Sequence, residues 1–318
     1  MYSIRSVEKD HLRGIINLYL RYSHEQFLYE GDRFLYQLLI DIRQEEREIF
    51  VARHADQIIG CVYALKHLGG SGWLGGLFVD PRHRQRGIGS LLLRHCLGYL
   101  KRAGCVDAFL FTDPNNLAAV SVFEKLGFDL VYRRIRFYRK IDPREDFGFP
   151  SAGRIESAAE LDLEKLKDVI YRSPEFQQRR GVILFYYYPV NLKGELTKSL
   201  VKSGKVIVYS QRGNYEGVAI FQEAPGIRIG DLDFVFRDEL AQGIKKGRKG
   251  RCGEINLVIG SEEAVQYLFS HILVILKQRG VENINYYSYI GDVHISTVEK
   301  LGFTRVKPIN VMKYVFTP

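Results

Sequence analysis

The sequence predicts an α/β (α+β) protein of two tandem domains, each a mixed β-sheet flanked by helices. Three observations predict it. The first half alternates strand-like and helix-like periodicities without interruption. A stretch rich in proline, glycine and charge, IDPREDFGFPSAG (141–153), then breaks the pattern. After it, short segments of the first half recur in the same order. The domains are therefore placed at 1–141 and 154–318, with 142–153 as the linker.

The elements of the first half follow in order. YSIRSV (2–7) reads as a strand, and apolar spacing predicts helices over 9–22 and 32–43. EIFVARH and QIIGCVYALKHL are two strands joined at Ala55-Asp56 as a hairpin. GWLGGLFV (72–79) is a fourth strand loosened by glycines, ended by Asp80-Pro81. A helix runs from about Gly87 to Ala103 and stops at Gly104, a residue suited to helix C-termini. VDAFLFT is the next strand, and Asn115–Leu126 is a helix closed by Gly127. DLVYR and RIRFYRK close the half as a hairpin-like pair.

In the second half LKQRG (276–280) answers LKRAG (100–104), and EKLGF recurs identically at 124–128 and 299–303. The helices before the first pair share Leu92/Leu268, His95/His271 and Leu97/Leu273. Several matches in one order indicate an internal duplication.

Composition sets limits. With 318 residues, 46% hydrophobic and 26% charged, the chain is long and apolar enough for two cores. No apolar run reaches the length of a membrane span, and the N-terminus is charged at once; a cytoplasmic protein is expected. Cys61, Cys96, Cys105 and Cys252 show no metal or disulfide spacing, so free thiols and no metal site are expected. The net charge of +9 is shared, with 22 Lys/Arg against 18 Asp/Glu in 1–150 and 24 against 19 in 151–318. It favours anionic partners.

One stretch carries a specific chemistry. RHRQRGIGSLLLRHCLGYLKRAG (82–104) is a basic, glycine-punctuated turn running into an amphipathic helix. A helix start presents unpaired N–H groups and partial positive charge. Glycines admit a ligand close to the backbone, and Arg84 and Arg86 add charge. This is a pyrophosphate site in the making. It is not a Walker loop, which needs GK[ST]. Nor is it a Rossmann turn, since it follows the fourth strand and GIGSLL lacks the third glycine.

Arg84-Gln85-Arg86-Gly87-Ile88-Gly89 fits the [QR]xxGx[GA] signature of the GNAT N-acetyltransferase superfamily, and it follows LFVDP. The family's later Asn-x-x-Ala-x-x-x-Tyr-x-x-x-Gly-Phe pattern is matched by Asn116, Ala119, Phe123, Gly127 and Phe128. The first half thus resembles this family over nearly all of its length. The tandem layout is similar to that of mycothiol synthases, a likeness that carries no substrate with it.

The resemblance implies splayed fourth and fifth strands with the pantetheine arm of acetyl-CoA between them, bonded near Phe78 and Val79. It implies a pyrophosphate held by the amides of Arg84, Gln85, Arg86, Gly87, Ile88, Gly89 and Ser90. Asn116, Ala119 and Phe123 would line the cofactor. The reaction implied is acetyl transfer to an amine on a small molecule or peptide. The family's usual tyrosine acid is here Phe123, which has no proton to give, so Tyr132 and Tyr138 become candidate donors. The fourth strand carries no acidic residue, so the base is sought in RYSHEQFLYEGDRF (21–34): His24 and Glu25, with Glu30 and Asp32 behind them.

Carrying the 176-residue offset back, Gly87 falls opposite Glu263, Arg86 opposite Glu262 and Gly89 opposite Val265. The second domain is therefore expected to be a degenerate copy without a cofactor site, making the chain a monomeric pseudo-dimer or a homodimer. Two rival readings stay open: a non-catalytic acyl-CoA-binding module, and a nucleic-acid-associated acetyltransferase suggested by the charge and by KKGRKGR (245–251). The tyrosines of FYYYPV (185–190) and NINYYSYIG (283–291 region) are read as sheet packing.

Overall fold

The computed structural model describes residues 2–7, 11, 14, 15, 17, 18, 47–148, 154–157, 162–185, 188–224 and 251–317. In the first half these are β1 (Tyr2–Ser6), β2 (Arg47–His54), β3 (Gln57–Lys66), β4 (Ser71–Val79), α1 (Ile88–Arg102), β5 (Asp107–Thr112), α2 (Leu117–Lys125) and β6 (Asp129–Lys140). His11, Gly14, Ile15, Asn17 and Leu18 are helical as well. Then follow β7 (Arg154–Ser157), α3 (Leu163–Arg172), α4 (Pro174–Gln178), β8 (Val182–Phe185), β9 (Tyr188–Asn191) and α5 (Gly194–Lys202). The chain continues with β10 (Val206–Gln211), β11 (Asn214–Ala224), β12 (Arg251–Gly260), α6 (Glu262–Gln278), β13 (Val281–Tyr289), α7 (Ile295–Lys300) and β14 (Thr304–Val315).

The described residues group into two compact units. One takes those up to Asp129 and from Met312 on; the other takes those from Leu130 to Val311. In the first unit the sheet order is β1-β2-β3-β4-β5 and then the end of β14. The first three pairings are antiparallel, and β4/β5 is parallel. The β2–β3 hairpin turns at Ala55-Asp56 as expected, with Ala55 at φ +51. α1 buries Leu92, Leu93, Cys96, Leu97 and Leu100, a stripe at helical spacing, against Ile59, Val62 and Leu74 of the sheet. Each such side chain contributes about 1.5–3 kcal/mol by leaving water.

The expected hairpin of DLVYR and RIRFYRK does not form; β6 is one uninterrupted strand of 12 residues. Nothing between Val131 and Phe137 supplies the glycine, asparagine or aspartate that a two-residue turn demands. β6 pairs with β13, from Asn283↔Lys140 to Tyr289↔Arg134. The second unit's sheet order is β7-β10-β11-β12-β13-β6 and then the beginning of β14. β12/β13 is parallel, the counterpart of β4/β5. A separate hairpin joins β8 and β9.

The duplication is visible in the backbone. Gly104 and Gly280 end α1 and α6 at φ +77 and +70, and Gly127 and Gly302 end α2 and α7 at φ +94 and +80. At the two EKLGF segments the same pair of bonds recurs: Phe128 N–H to Phe123 O (3.1 Å) and Gly127 N–H to Glu124 O (2.9 Å) in one, Phe303 N–H to Val298 O (3.3 Å) and Gly302 N–H to Glu299 O (2.9 Å) in the other. Each unit nevertheless completes its sheet with residues from the other half of the sequence. Residues 130–140 belong to the second unit, and Met312–Thr317 to the first. In the first unit Met312 is 1% exposed in the same core as Phe123 and Phe128, and Lys313 Nζ pairs with Asp107 at 3.0 Å.

In the second unit His294 and Glu175 form a buried pair at 3.2 Å. Burial works against the His294 cation, but the Glu175 hydrogen bond and the charges of Asp292, Glu175 and Glu262 raise its pKa overall. Burial likewise works against the Glu175 carboxylate, but the His294 bond prevails and lowers its pKa.

Met312→Ala is expected to cost about 2–5 kcal/mol, read as a lower urea midpoint, although residue 312 lies far in sequence from the first unit's other elements. His294 adds stability below its unfolded value of 6.5, lost as pH rises through its higher folded value. Glu175 adds stability above its unfolded value of 4.5, lost as pH falls through its lower folded value. The Tm difference between wild type and His294→Gln should therefore be largest between those two values.

Candidate functional site

The site begins with why β4 is glycine-rich. A Cβ at Gly72 would stand 2.6 Å from Leu100 of α1, and one at Gly75 would stand 2.4 Å from the Tyr63 hydroxyl. Glycines thus let α1 and Tyr63 close onto the strand. Gly76 sits at φ +63 within a bulge, where Cys61 pairs with Phe78 but Tyr63 with Gly75. β4 pairs with β5 only at Ser71↔Asp107, Gly72↔Ala108 and Trp73↔Phe109. From Leu74 onward the two parallel strands part, leaving a splayed edge that runs toward Phe78 and Val79.

The loop after β4 is held from below. Asp80 is 1% exposed and accepts from the Arg82 backbone N–H (2.9 Å) and guanidinium (2.8 Å), while its own N–H reaches Ile59 O (2.8 Å). Pro81 opens a 3₁₀ turn, Pro81–His83. The rings of Tyr2, His54 and His83 gather beside it, with His54 and His83 centroids 5.3 Å apart. Arg86 donates to the Tyr2 hydroxyl at 2.7 Å. Arg84 Nε donates to Val79 O at 3.0 Å, and its guanidinium lies 5.8 Å from the centre of the Phe78 ring.

The chain then enters α1 through Gln85 at φ +60 and Gly87 at φ +75. Gly87 is the N-cap; no side chain caps the helix, and its first turn holds no acid. Ile88 is buried and anchors the turn, while Gly89 and Ser90 are half-buried. Among the described residues, a Cβ on Gly87 would meet nothing within 4 Å. A helix start with no side-chain cap leaves first-turn N–H groups available, and with Arg82, Arg84 and Arg86 in the preceding loop it can accept an anion such as a pyrophosphate.

The counterpart in the second unit is closed. β12 ends at Gly260 and α6 begins at Glu262, with Ser261 alone between them. Ser261 caps the helix by accepting from Ala264 N–H (3.3 Å), and Glu262 and Glu263 occupy its first turn. Glu262 accepts from Thr297 (3.0 Å) and Glu263 from Tyr209 (3.2 Å). The difference is larger than the expected exchange of Gly87 for a glutamate: the whole loop is missing.

On α2, Asn116 Oδ1 accepts from Ala119 N–H at 3.2 Å, an N-cap that fixes the helix start. Ala119 is half-buried. Phe123 is 6% exposed and packs edge-on to Phe128, its ring turned into the core. Tyr132 belongs to the second unit; its hydroxyl is buried without a hydrogen-bond partner, and burial raises its pKa against the opposing pull of Arg179 and Arg134. Tyr138, also there, donates to Asn283 at 2.5 Å. His24, Glu25, Glu30, Asp32 and residues 245–250 lie outside the described residues. Burial pushes the Cys61 thiol up to about 12, so it is no nucleophile at neutral pH. The sequence reading missed Tyr63, whose hydroxyl accepts from Trp73 Nε1 at 3.2 Å against the splayed strand. Gly75 was the available signal, a glycine whose absent Cβ makes room for a ring.

Residues 12–128 match the family model "Acetyltransferase (GNAT) family". That stretch of the chain is similar to the GNAT acetyltransferases. Over 68 residues it is 35% identical to [Ribosomal protein bS18]-alanine N-acetyltransferase of Escherichia coli (strain K12), covering 21% of this chain and 46% of that one. Over 114 residues it is 31% identical to mycothiol acetyltransferase of Thermobispora bispora, covering 30% and 39%. The chain thus spans less than half the length of either relative. A GCN5-related N-acetyltransferase from Sphaerobacter thermophilus superposes with a TM-score of 0.58 at 14% identity, over 100% of this chain and 96% of that one. A tandem GNAT protein from the clavulanic acid biosynthesis pathway does so with 0.51 at 10% identity, over 100% and 99%. The likeness in fold therefore extends over both halves of the chain. The family generally uses acetyl-CoA, and the open helix start with its acid-free first turn suits that donor. Among the described residues no helix is long and apolar enough to cross a membrane, and no group of metal-ligating side chains occurs.

Gly75→Ala is expected to destabilise the protein by about 1–3 kcal/mol through overpacking against Tyr63. Chemical denaturation followed by Trp73 fluorescence would read it, since Trp73 donates to the same hydroxyl.

Proposed function

We propose that the first GNAT domain transfers the acetyl group of acetyl-CoA to an amine on a small molecule or a peptide N-terminus. The observation that carries this reading is the uncapped, acid-free start of α1 at Gly87, set beside the parting of β4 from β5. In this proposal the amides and side chains of Arg84, Gln85, Arg86, Gly87, Ile88, Gly89 and Ser90 hold the pyrophosphate. The backbone near Phe78 and Val79 pairs with pantetheine, and the α2 face around Asn116 and Ala119 borders the thioester end. The core position of Phe123 leaves it a supporting role beneath that face.

The chemistry is an addition followed by an elimination. An ammonium with an ordinary pKa near 10.4 must first lose a proton, and His24 or Glu25 is the proposed base. The amine nitrogen attacks the thioester carbonyl, and strand amides on the splayed edge stabilise the oxyanion. The C–S bond breaks, and the CoA thiolate takes up a proton. Phe123 cannot supply that proton, and the enclosed Tyr132 hydroxyl is given no part in the transfer. One relative is named for a ribosomal protein and another for mycothiol, so the acceptor class stays at amines.

The second domain is proposed to be a copy that has lost its donor site. In that proposal 1–141, 142–153 and 154–318 are the duplicated segments and their linker, while the compact units differ from them by the exchanged strand residues. The absence of a hydroxyl at Phe123 favours one rival, an acyl-CoA-binding module without turnover.

Calorimetric titration with acetyl-CoA is expected to give one site per chain, lost in Gly87→Glu. Two sites would overturn the closed state of the second domain, and no binding by folded protein would overturn the donor reading. With an accepted amine, His24→Ala or Glu25→Ala should lower kcat by about 10²–10⁴-fold at neutral pH. Tight acetyl-CoA binding with no turnover on any amine would establish the binding module instead.

A further inference from the structure

The second unit contains a buried cation with an unused face. Arg179 follows α4 and is 0% exposed. Its Nη1 donates to Asn256 O at 3.1 Å, which fixes the guanidinium. Its Nε and Nη2, both shut off from solvent, have no hydrogen-bond partner among the described residues. These two N–H groups form the side-on edge of the guanidinium, the edge that grips a carboxylate with two parallel bonds.

The surroundings carry two more unpaired groups. Asn256 is fully buried at a bulge of β12, where Ile220 pairs with Leu257 but Phe221 with Ile255. Its amide N–H donates to Leu184 O at 2.5 Å, so its Oδ1 is the free end, and that oxygen has no partner. The Tyr132 hydroxyl, on which the Arg179 charge acts, has none either among the described residues. The Tyr289 ring lies 5.6 Å from the guanidinium carbon. β12 and β13 pair in parallel only from Arg251↔Val281 to Ile255↔Tyr286, so Asn256 stands where those strands part.

The unit's buried carboxylates have hydrogen-bond partners of their own, although the Arg179 charge also acts on Glu175. Glu175 pairs with His294. Glu254 accepts from Gln222 (3.0 Å) and Tyr287 (3.4 Å). Asp292 accepts from Tyr286 (3.2 Å), from His294 N–H (2.9 Å) and from Ser288. A buried guanidinium edge without a partner is costly, and a stability-driven sequence would place an apolar side chain there.

We propose that the second unit binds a small carboxylic acid at Arg179. The carboxylate takes the Nε/Nη2 edge, the Tyr132 hydroxyl donates to it, and Asn256 Oδ1 accepts from an N–H or O–H on the adjacent carbon. The ligand class is an α-amino or 2-hydroxy acid. The site does not depend on acetyl transfer, and acetyl-CoA titration of the same variants separates the failure of one reading from the failure of the other.

The test is calorimetric titration of the full chain with the standard L-amino acids and simple 2-hydroxy acids, each set against its primary amide. One or more acids should bind at one site per chain, with the amide about 100-fold weaker. Arg179→Gln should abolish binding, and Tyr132→Phe should weaken it about 10-fold. No acid binding at millimolar concentration, equal binding of acid and amide, or equal competition by inorganic phosphate would overturn the assignment. A second measurement needs no ligand. Arg139 is a buried arginine that pairs with Glu145 and lies over Phe147. Arg179→Met should leave Tm at or above wild type, whereas Arg139→Met should lower it. An equal fall in both would make Arg179 a structural residue and overturn the proposal.

Discussion

The first unit depends on the early parting of two parallel strands. A parallel pair that separates after three residues leaves a row of amides and carbonyls that must find partners other than each other. Keeping that edge at the surface requires a firm support on its other side. The glycines of β4 provide it by drawing Leu100 and Tyr63 into contact, and Asp80 ties the strand's end to Arg82 of the loop and, through its own N–H, to Ile59 of β3. The loop in turn sets the helix start, so the orientation of the α1 amides follows from where β4 leaves β5.

The two halves differ at a single loop set on similar scaffolds. Both keep the helix, the left-handed glycine after it and the aromatic that follows the second helix. With one residue between β12 and α6, a serine cap and two glutamates replace the open turn. The same helix dipole that favours an anion in one unit is already answered by side chains of its own in the other. The polar groups around Arg179 show that the second unit is not an ordinary apolar core throughout.

Much of this was legible in the sequence, and the reasons differ by residue. Gly87, Gly104 and Gly127 each mark a left-handed position that other residues adopt only at a cost, so they located three helix ends. The arginines beside Gly87 gave the loop its charge, and Asn116 its cap. The missing loop was hidden because a fixed offset aligned the helices well: Ile88 and Ala264 are 176 positions apart, but Val79 and Gly260 are 181. The course of β6 was hidden for another reason. Alternating side chains state which face a strand buries, but not which neighbour it will pair with. Tyr63 was missed because a tyrosine in a strand is ordinarily packing, and only the space at Gly75 distinguishes it.

The exchanged strand ends carry a consequence for how this protein comes into being. The first unit's sheet is closed by residues synthesised about 200 positions after β5 leaves the ribosome. During that interval β5 presents an unpaired edge, and Phe128 lacks one wall of its pocket. The first unit's sheet is thereby complete only once the second half of the chain has been made.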